Sequence, residues 1–144
     1  MLRFHTARAI AAPPSVVWQI LVDRDVLRSG DFGITRLQAP ARTLAPGQTI
    51  RLTARVSGDR VFKLRVTAMK EPEHMVWEGG MPFGLFKGTR TFRLTQDGDG
   101  TLFDMEEVFS GPLAGLIGKT IPDLNASFAL FAEALARHAE RTTP

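Results

Sequence analysis

Hydrophobic and polar positions alternate one by one through most of the chain, and near its end they change to a helical rhythm. Over Leu2 to Ala12, Phe4, Thr6, Arg8 and Ile10 share one face, and Arg3, His5, Ala7 and Ala9 share the other. Ile34 to Gln38 reads as a short strand. Ile50, Leu52, Ala54 and Val56 then alternate with Arg51, Thr53, Arg55 and Ser57, and Phe62, Leu64, Val66 and Ala68 alternate with Lys63, Arg65 and Thr67. Gly58-Asp59 between these two runs is a hairpin signal. Met75 to Glu78 is a further strand, Gly79 to Gly84 a loop carrying Met81 and Phe83, and Phe86 to Thr95 and Thr101 to Phe109 a last hairpin. One dry and one wet face per strand is what an antiparallel sheet covered on one side requires.

Two stretches break the alternation. Pro13 and Pro14 end the first strand and open a helix, since proline is tolerated in a first helical turn. Val17, Ile20 and Leu21 make its apolar stripe beside Trp18, and Asp23 to Leu27 adds a short turn. Far downstream, Ile117, Ile121, Leu124, Phe128, Phe131, Leu135 and His138 recur at steps of three and four, with Asp123, Glu133, Arg137 and Glu140 off that line. From Ile121 to Glu140 this helix would be roughly 30 Å long. It starts either behind a Thr120-x-x-Asp123 cap with Pro122 in its first turn, or near Leu113 with a kink at Pro122. The fold class is therefore α+β, a curved antiparallel sheet gripping one long C-terminal helix.

The last hairpin carries the polar feature that matters. A two-residue tip at Gly98-Asp99 sets Leu94 opposite Phe103, Phe92 opposite Met105, Arg90 opposite Glu107 and Gly88 opposite Phe109, all on one face. The apolar members make it the inner face; Lys87, Thr89, Thr91, Arg93, Asp104 and Glu106 suit water on the other. Arg90 and Glu107 thus point into an apolar interior, where a charge is costly unless paired. They are either the polar end of a ligand pocket, Arg90 holding a carboxylate or enolate oxygen and Glu107 serving as base or orienter, or an internal ion pair that fixes the register.

Composition narrows the chemistry. The 144 residues read as a single domain, 1–144, and 44% hydrophobic content suits a globular core. There is no cysteine, which excludes thiolate chemistry and fits a reducing, cytoplasmic setting. A net charge of +3 with dispersed basic residues gives no nucleic-acid footprint, and no apolar run approaches a membrane span. His5, His74 and His138 are scattered and form no metal site, so neither metal nor cofactor is expected. Asp97-Gly98-Asp99-Gly100 reads as a turn rather than a calcium loop, because the distal Glu is missing. Asn125, beside the helix seam, is a candidate hydrogen-bonder.

Several runs together resemble a known superfamily. Ile10-Ala-Ala-Pro-Pro-Ser-Val-Val-Trp18 followed by Ile20-Leu21-Val22-Asp23, Gly88-Thr-Arg-Thr-Phe92-Arg-Leu94, Gly100-Thr101 through Glu107-Val-Phe-Ser-Gly111, and the closing Leu124 to Glu140 resemble the START/pollen-allergen (SRPBCC) superfamily, in order and over nearly the whole chain. The similarity is greatest to its polyketide cyclase/dehydrase and lipid-transport-like branch. The resemblance implies a helix-grip fold, seven antiparallel strands around the helix, enclosing a hydrophobic cavity for lipids, polyketides or similar molecules, with cyclisation or dehydration in some members. The tyrosine common in cyclising members is absent from the whole chain, which leaves Arg90 and Glu107 as the catalytic candidates.

The leading expectation is a binder of a small hydrophobic or aromatic ligand between sheet and helix. Phe62, Leu64, Trp77, Phe83, Phe86, Phe92, Met105, Phe128 and Phe131 would form the walls; Arg90, Glu107 and Asn125 would orient the ligand. Gly79, Gly80 and Gly84, around Met81 and Phe83, would form an entrance flap. The alternatives are a cyclase or dehydratase acting through Arg90 and Glu107, and a protein-interaction module like the heat-shock ATPase activator homologues, using Arg51, Arg55, Lys63 and Arg65 on the outer strands.

Overall fold

A computed structural model describes residues 2–142; Met1, Thr143 and Pro144, the ends of the expected domain, lie outside the described residues. Seven strands, β1 (Leu2–Ile10), β2 (Ile34–Gln38), β3 (Thr49–Ala54), β4 (Phe62–Lys70), β5 (His74–Gly80), β6 (Lys87–Asp97) and β7 (Gly100–Ser110), form one sheet. Their order is β1-β7-β6-β5-β4-β3-β2, with every pairing antiparallel. The sheet curls into a half-barrel around a C-terminal helix, so the α+β helix-grip architecture is the one observed.

Among the described residues there are also four α-helices: α1 (Pro14–Leu21), α2 (Arg24–Leu27), α3 (Ala114–Ile117) and α4 (Asn125–Thr142). α1 begins at Pro14, where a missing N–H costs nothing, and buries Val17, Trp18 and Leu21. α4 presents Phe128, Phe131, Ala132, Leu135 and Ala139 to the interior. It packs chiefly on β1 and α1, with less contact to β7. Arg8 of β1 bonds Glu133 on α4, which holds the Glu133 carboxyl below its usual range, and the Ala11 amide donates to Glu140. His138, at the end of the seam, meets Asp31 at 2.9 Å and stacks on Phe32, fastening the loop before β2 to the helix.

The hairpin β6–β7 has the expected tip: Asp97 pairs with Gly100, and Arg90 with Glu107. Three local expectations are corrected. Thr120 does not cap the long helix; its hydroxyl donates to Ile117 O, and residues 118–120 form a 3-10 turn after α3. Ile121 is extended, the conformation that a residue before proline prefers, so the helix neither starts there nor continues with a kink through Pro122. α4 begins only at Asn125, whose N–H is accepted by Asp123 Oδ1 at 2.9 Å. The strand expected to run to Ser57 ends at Ala54, because the Arg55 amide donates to Gly33 O and its guanidinium to Gly30 O, turning 55–57 into a 3-10 turn. Arg55 therefore leaves the outer strand face. The Gly79–Gly84 stretch is partly strand, and the turn that follows is tied by Met81 N–H to Phe86 O and by Leu113 N–H to Leu85 O.

Asp23 joins α1, α2 and the 40s loop. Its Oδ1 accepts from the amides of Asp25 and Val26, and Arg42 Nη2 reaches Oδ2 at 3.1 Å. Partial burial pushes this carboxyl up, but the Arg42 hydrogen bond, the two amides and the Arg42 charge outweigh it, so the net displacement is downward. A depressed carboxyl contributes stability that is complete above its unfolded pKa and is lost as pH falls through the folded one. Asp23→Ala is expected to cost about 1–2 kcal/mol at neutral pH, and Asp23→Asn, which keeps the cap but not the charge, less than that. Urea unfolding at a series of pH values checks this: Asp23→Asn should converge on the parent below the folded-state pKa of Asp23, while Asp23→Ala should approach it but stay less stable by the lost cap.

Candidate functional site

Inward positions of the strands line up into transverse rows. In one of them Val66, Trp77, Arg90, Glu107 and Phe4 follow one another across β4, β5, β6, β7 and β1. On one side of this row lie Met75, Phe92 and Met105, all fully buried. On the other lie Gly79, Gly88 and Phe109. The two glycines present no side chain inward, and the interior opens into a cavity of about 340 Å³.

The cavity floor is Trp77, Met105, Phe32 and Phe131; its walls include Phe62, Leu64, Phe86, Phe109 and Phe128. Phe86 and Phe109 stack at 5.6 Å, and Phe32 meets Phe131 edge-on at 5.1 Å. Val56, Val61 and Met81 stand at the mouth, where each remains partly exposed. Ile117 at the end of α3, with Ile121, Pro122 and Leu124 from the break before α4, closes the remaining side. Arg90 Nε donates to Glu107 Oε2 at 2.9 Å, and the guanidinium lies over the Phe128 ring, 5.0 Å from its centroid. The side chains are 22% and 13% exposed, so the pair is sheltered but still in contact with the cavity space. A Cβ at Gly88 would sit 3.6 Å from Glu107 Oε1 and 3.2 Å from Phe109, so this glycine keeps the approach to the carboxylate clear.

Among the described residues that line the cavity, the polar side chains are Arg90, Glu107, Arg60, Lys63, Ser57 and Ser127. Arg90 offers donors and a fixed positive charge; Glu107 offers an acceptor and the one carboxylate suited to moving a proton. No group of three His, Cys, Asp or Glu residues suited to a metal occurs among the described residues. No helix of the described residues is long and apolar enough to cross a membrane.

Of the site residues expected from sequence, the structure brings Phe62, Leu64, Trp77, Phe86, Arg90, Met105, Glu107, Phe128 and Phe131 to the cavity. Three fall elsewhere. Phe83 is 99% exposed on a left-handed backbone (φ 61°) and turns to solvent. Phe92 lies one row deeper, wedged between Trp77 and Phe131 at 4.7 and 5.7 Å, and fills the core beneath the cavity. Asn125 follows the seam residue Leu124 by one position, about 100° around the helix, and is exposed. Phe32, Phe109 and Ser127 are lining residues that sequence reasoning does not select, and Met81, expected in the entrance flap, also lines the cavity. Phe32 had a signal: a lone large apolar residue in the polar, glycine-flanked stretch Ser29 to Gly33 needs somewhere to bury itself.

The family model described as "Polyketide cyclase / dehydrase and lipid transport" matches residues 1–140. No curated protein sequence matches the chain. Among solved structures, a Mesorhizobium loti protein shares 20% identity, covering 99% of this chain and 100% of its own, with a TM-score of 0.74. The Zhui aromatase/cyclase of a Streptomyces species shares 16% identity over 99% of this chain and 96% of its own, with a TM-score of 0.74. A point mutant of norcoclaurine synthase from Thalictrum flavum, in complex with a transition-state analogue, shares 11% over 99% and 96%, with a TM-score of 0.73. At these identities the likeness is one of fold.

The Arg90–Glu107 pair makes its own prediction. Arg90→Met or Glu107→Leu alone strands the remaining charge and should cost about 1–3 kcal/mol, below the cost of breaking a fully buried pair because the cavity admits water. The double variant should recover most of that loss. Denaturant unfolding of all four proteins gives the coupling, and additive losses would contradict a paired role.

Proposed function

Because the chain belongs to the polyketide cyclase/dehydrase and lipid transport family, we propose that residues 1–144 act as one domain that binds a small hydrophobic or aromatic ligand in the cavity between sheet and α4. The observation that carries this reading is the cavity itself, about 340 Å³ of space inside the apolar core, walled by phenyl rings and crossed at one level by an ion pair. A protein filling its core for stability alone gains nothing from leaving such space, since each unfilled volume forfeits contacts. Burying the apolar surface of a ligand there contributes about 25 cal/mol per Å² before ordering costs. Arg90, with its guanidinium over Phe128, and Glu107 give the ligand an orientation.

A second reading, catalysis of a cyclisation or dehydration, rests on Glu107. Its carboxylate faces the cavity, hydrogen-bonded to Arg90, beside space in which a substrate atom could sit. The same fold carries an aromatase/cyclase and a synthase in other organisms. In this chain Glu107 would take or return the proton and Arg90 would hold an oxygen that gains negative charge.

The test of the first reading is a side chain that fills the cavity without disturbing its walls. Ser127 sits half-buried on the cavity side of α4, and Ser127→Trp should weaken binding of a naphthalene-based fluorescent probe at least tenfold, about 1.4 kcal/mol, with little change in stability. Mass spectrometry of small molecules released on denaturing freshly purified protein should show an apolar compound in the parent and a depleted level in this variant. Unchanged probe binding in a folded Ser127→Trp would refute cavity binding. For the second reading, Glu107→Gln should retain the ligand but lose its turnover.

A further inference from the structure

One polar group in the cavity wall has no protein partner. The indole Nε1–H of Trp77 is buried and meets no hydrogen-bond acceptor among the described residues. Trp77 as a whole is 1% exposed, so open solvent does not satisfy it, and the ring lines the cavity floor. Phe92 stands edge-to-face against it at 4.7 Å, but an aromatic face is a much weaker acceptor than oxygen. A buried donor left without a partner is costly, and native proteins rarely carry one that does nothing.

Its neighbour sharpens the picture. Trp77 lies directly opposite Arg90 across β5 and β6. Arg90 uses Nε for Glu107, and the other end of its guanidinium makes no hydrogen bond to the described residues. The inner end of the cavity is therefore bordered by two adjacent sets of donors, and the rim mixes the apolar Val56, Val61 and Met81 with the exposed Arg60 and Lys63.

Resting on the cavity-binding reading above, we infer that the ligand enters polar end first, and that the Trp77 indole N–H donates to an oxygen acceptor on that buried end, alongside Arg90. The class this selects is a compact ring compound with a carbonyl or phenolate oxygen at one end and an apolar body toward the mouth. A hydrocarbon of the same shape would leave the indole N–H and the far end of the guanidinium without an acceptor and would bind more weakly.

The experiment uses a matched pair, 2-acetylnaphthalene and 2-ethylnaphthalene, which share a ring system and differ in a carbonyl oxygen. Their dissociation constants are measured by displacement of the fluorescent probe from wild type and Trp77→Phe. Wild type should prefer the ketone by about tenfold, and Trp77→Phe should erase most of that preference while holding the hydrocarbon within about threefold. Equal affinities for the two compounds in wild type, or an equal loss of both in Trp77→Phe, would overturn the role of Trp77 and leave cavity binding standing. Failure of both compounds to bind wild type would overturn cavity binding itself. Should Trp77→Phe not fold, nitrogen-15 indole spectra of wild type decide the matter. The chain has two tryptophans, and Trp18 serves as the internal reference, its signal identified by Trp18→Phe. Saturating ketone should move the Trp77 indole proton downfield and leave Trp18 in place, the hydrocarbon should move neither, and an unmoved Trp77 signal with bound ketone refutes the hydrogen bond.

Discussion

The structure depends on how little of the sheet its long helix covers. α4 rests on β1, α1 and β7, and β3, β4 and β5 curl away from it. Part of their inward apolar surface, at Phe62 and Leu64, is therefore only partly covered. The break at Ile121 to Leu124 enforces this: proline has no N–H to donate and pushes the residue before it into extended geometry, so the helix cannot run on over the mouth of the half-barrel. Phe128 and Phe131, on the first turns of α4, fill the space partway, and what they leave is the cavity.

The transverse rows translate this architecture into chemistry. The row of Met75, Phe92 and Met105 is solid core, the row of Gly79, Gly88 and Phe109 is largely open, and the row of Trp77, Arg90 and Glu107 lies at the boundary between them. Charged groups survive at that level because each has partners: a carboxylate for the guanidinium, a guanidinium for the carboxylate, and the Phe128 face beneath the cation. One row deeper they would be fully desolvated; one row outward they would be ordinary solvated side chains. The depth of the row is what makes it useful.

Much of this was legible in the sequence, for a definite reason. Side chains alternate across a strand with a period of two, and the Gly98-Asp99 tip fixed the register, so the facing of Arg90 and Glu107 followed from counting. Alternation reports which face a residue is on but not how far along the half-barrel it lies, so Phe92 was grouped with the cavity walls although it belongs to the filled core. Helical spacing likewise found Leu124, Phe128, Phe131 and Leu135 but could not show that the periodicity crosses a break at Pro122. Hydrophobic character alone points Phe83 inward, whereas a left-handed turn carries this ring into solvent. The Arg55 to Gly30 and Gly33 bonds, which end β3 early, join residues far apart in sequence and left no local pattern.

The pairing of β1 with β7 has a temporal side. Leu2 meets Phe109 and Arg8 meets Phe103, so the first strand waits for a partner roughly a hundred residues later in the chain. Closing so long a loop costs entropy before any contact repays it, and such non-local pairings slow folding. Phe4 terminates the row that holds Trp77, Arg90 and Glu107, so that row is incomplete until the two strands meet. During synthesis the hairpins in the middle of the chain can form in order, but the binding chamber cannot exist before the last of them has been made. Until then the apolar face of the sheet stands open, and it is in that interval that the chain is most exposed to association with other chains.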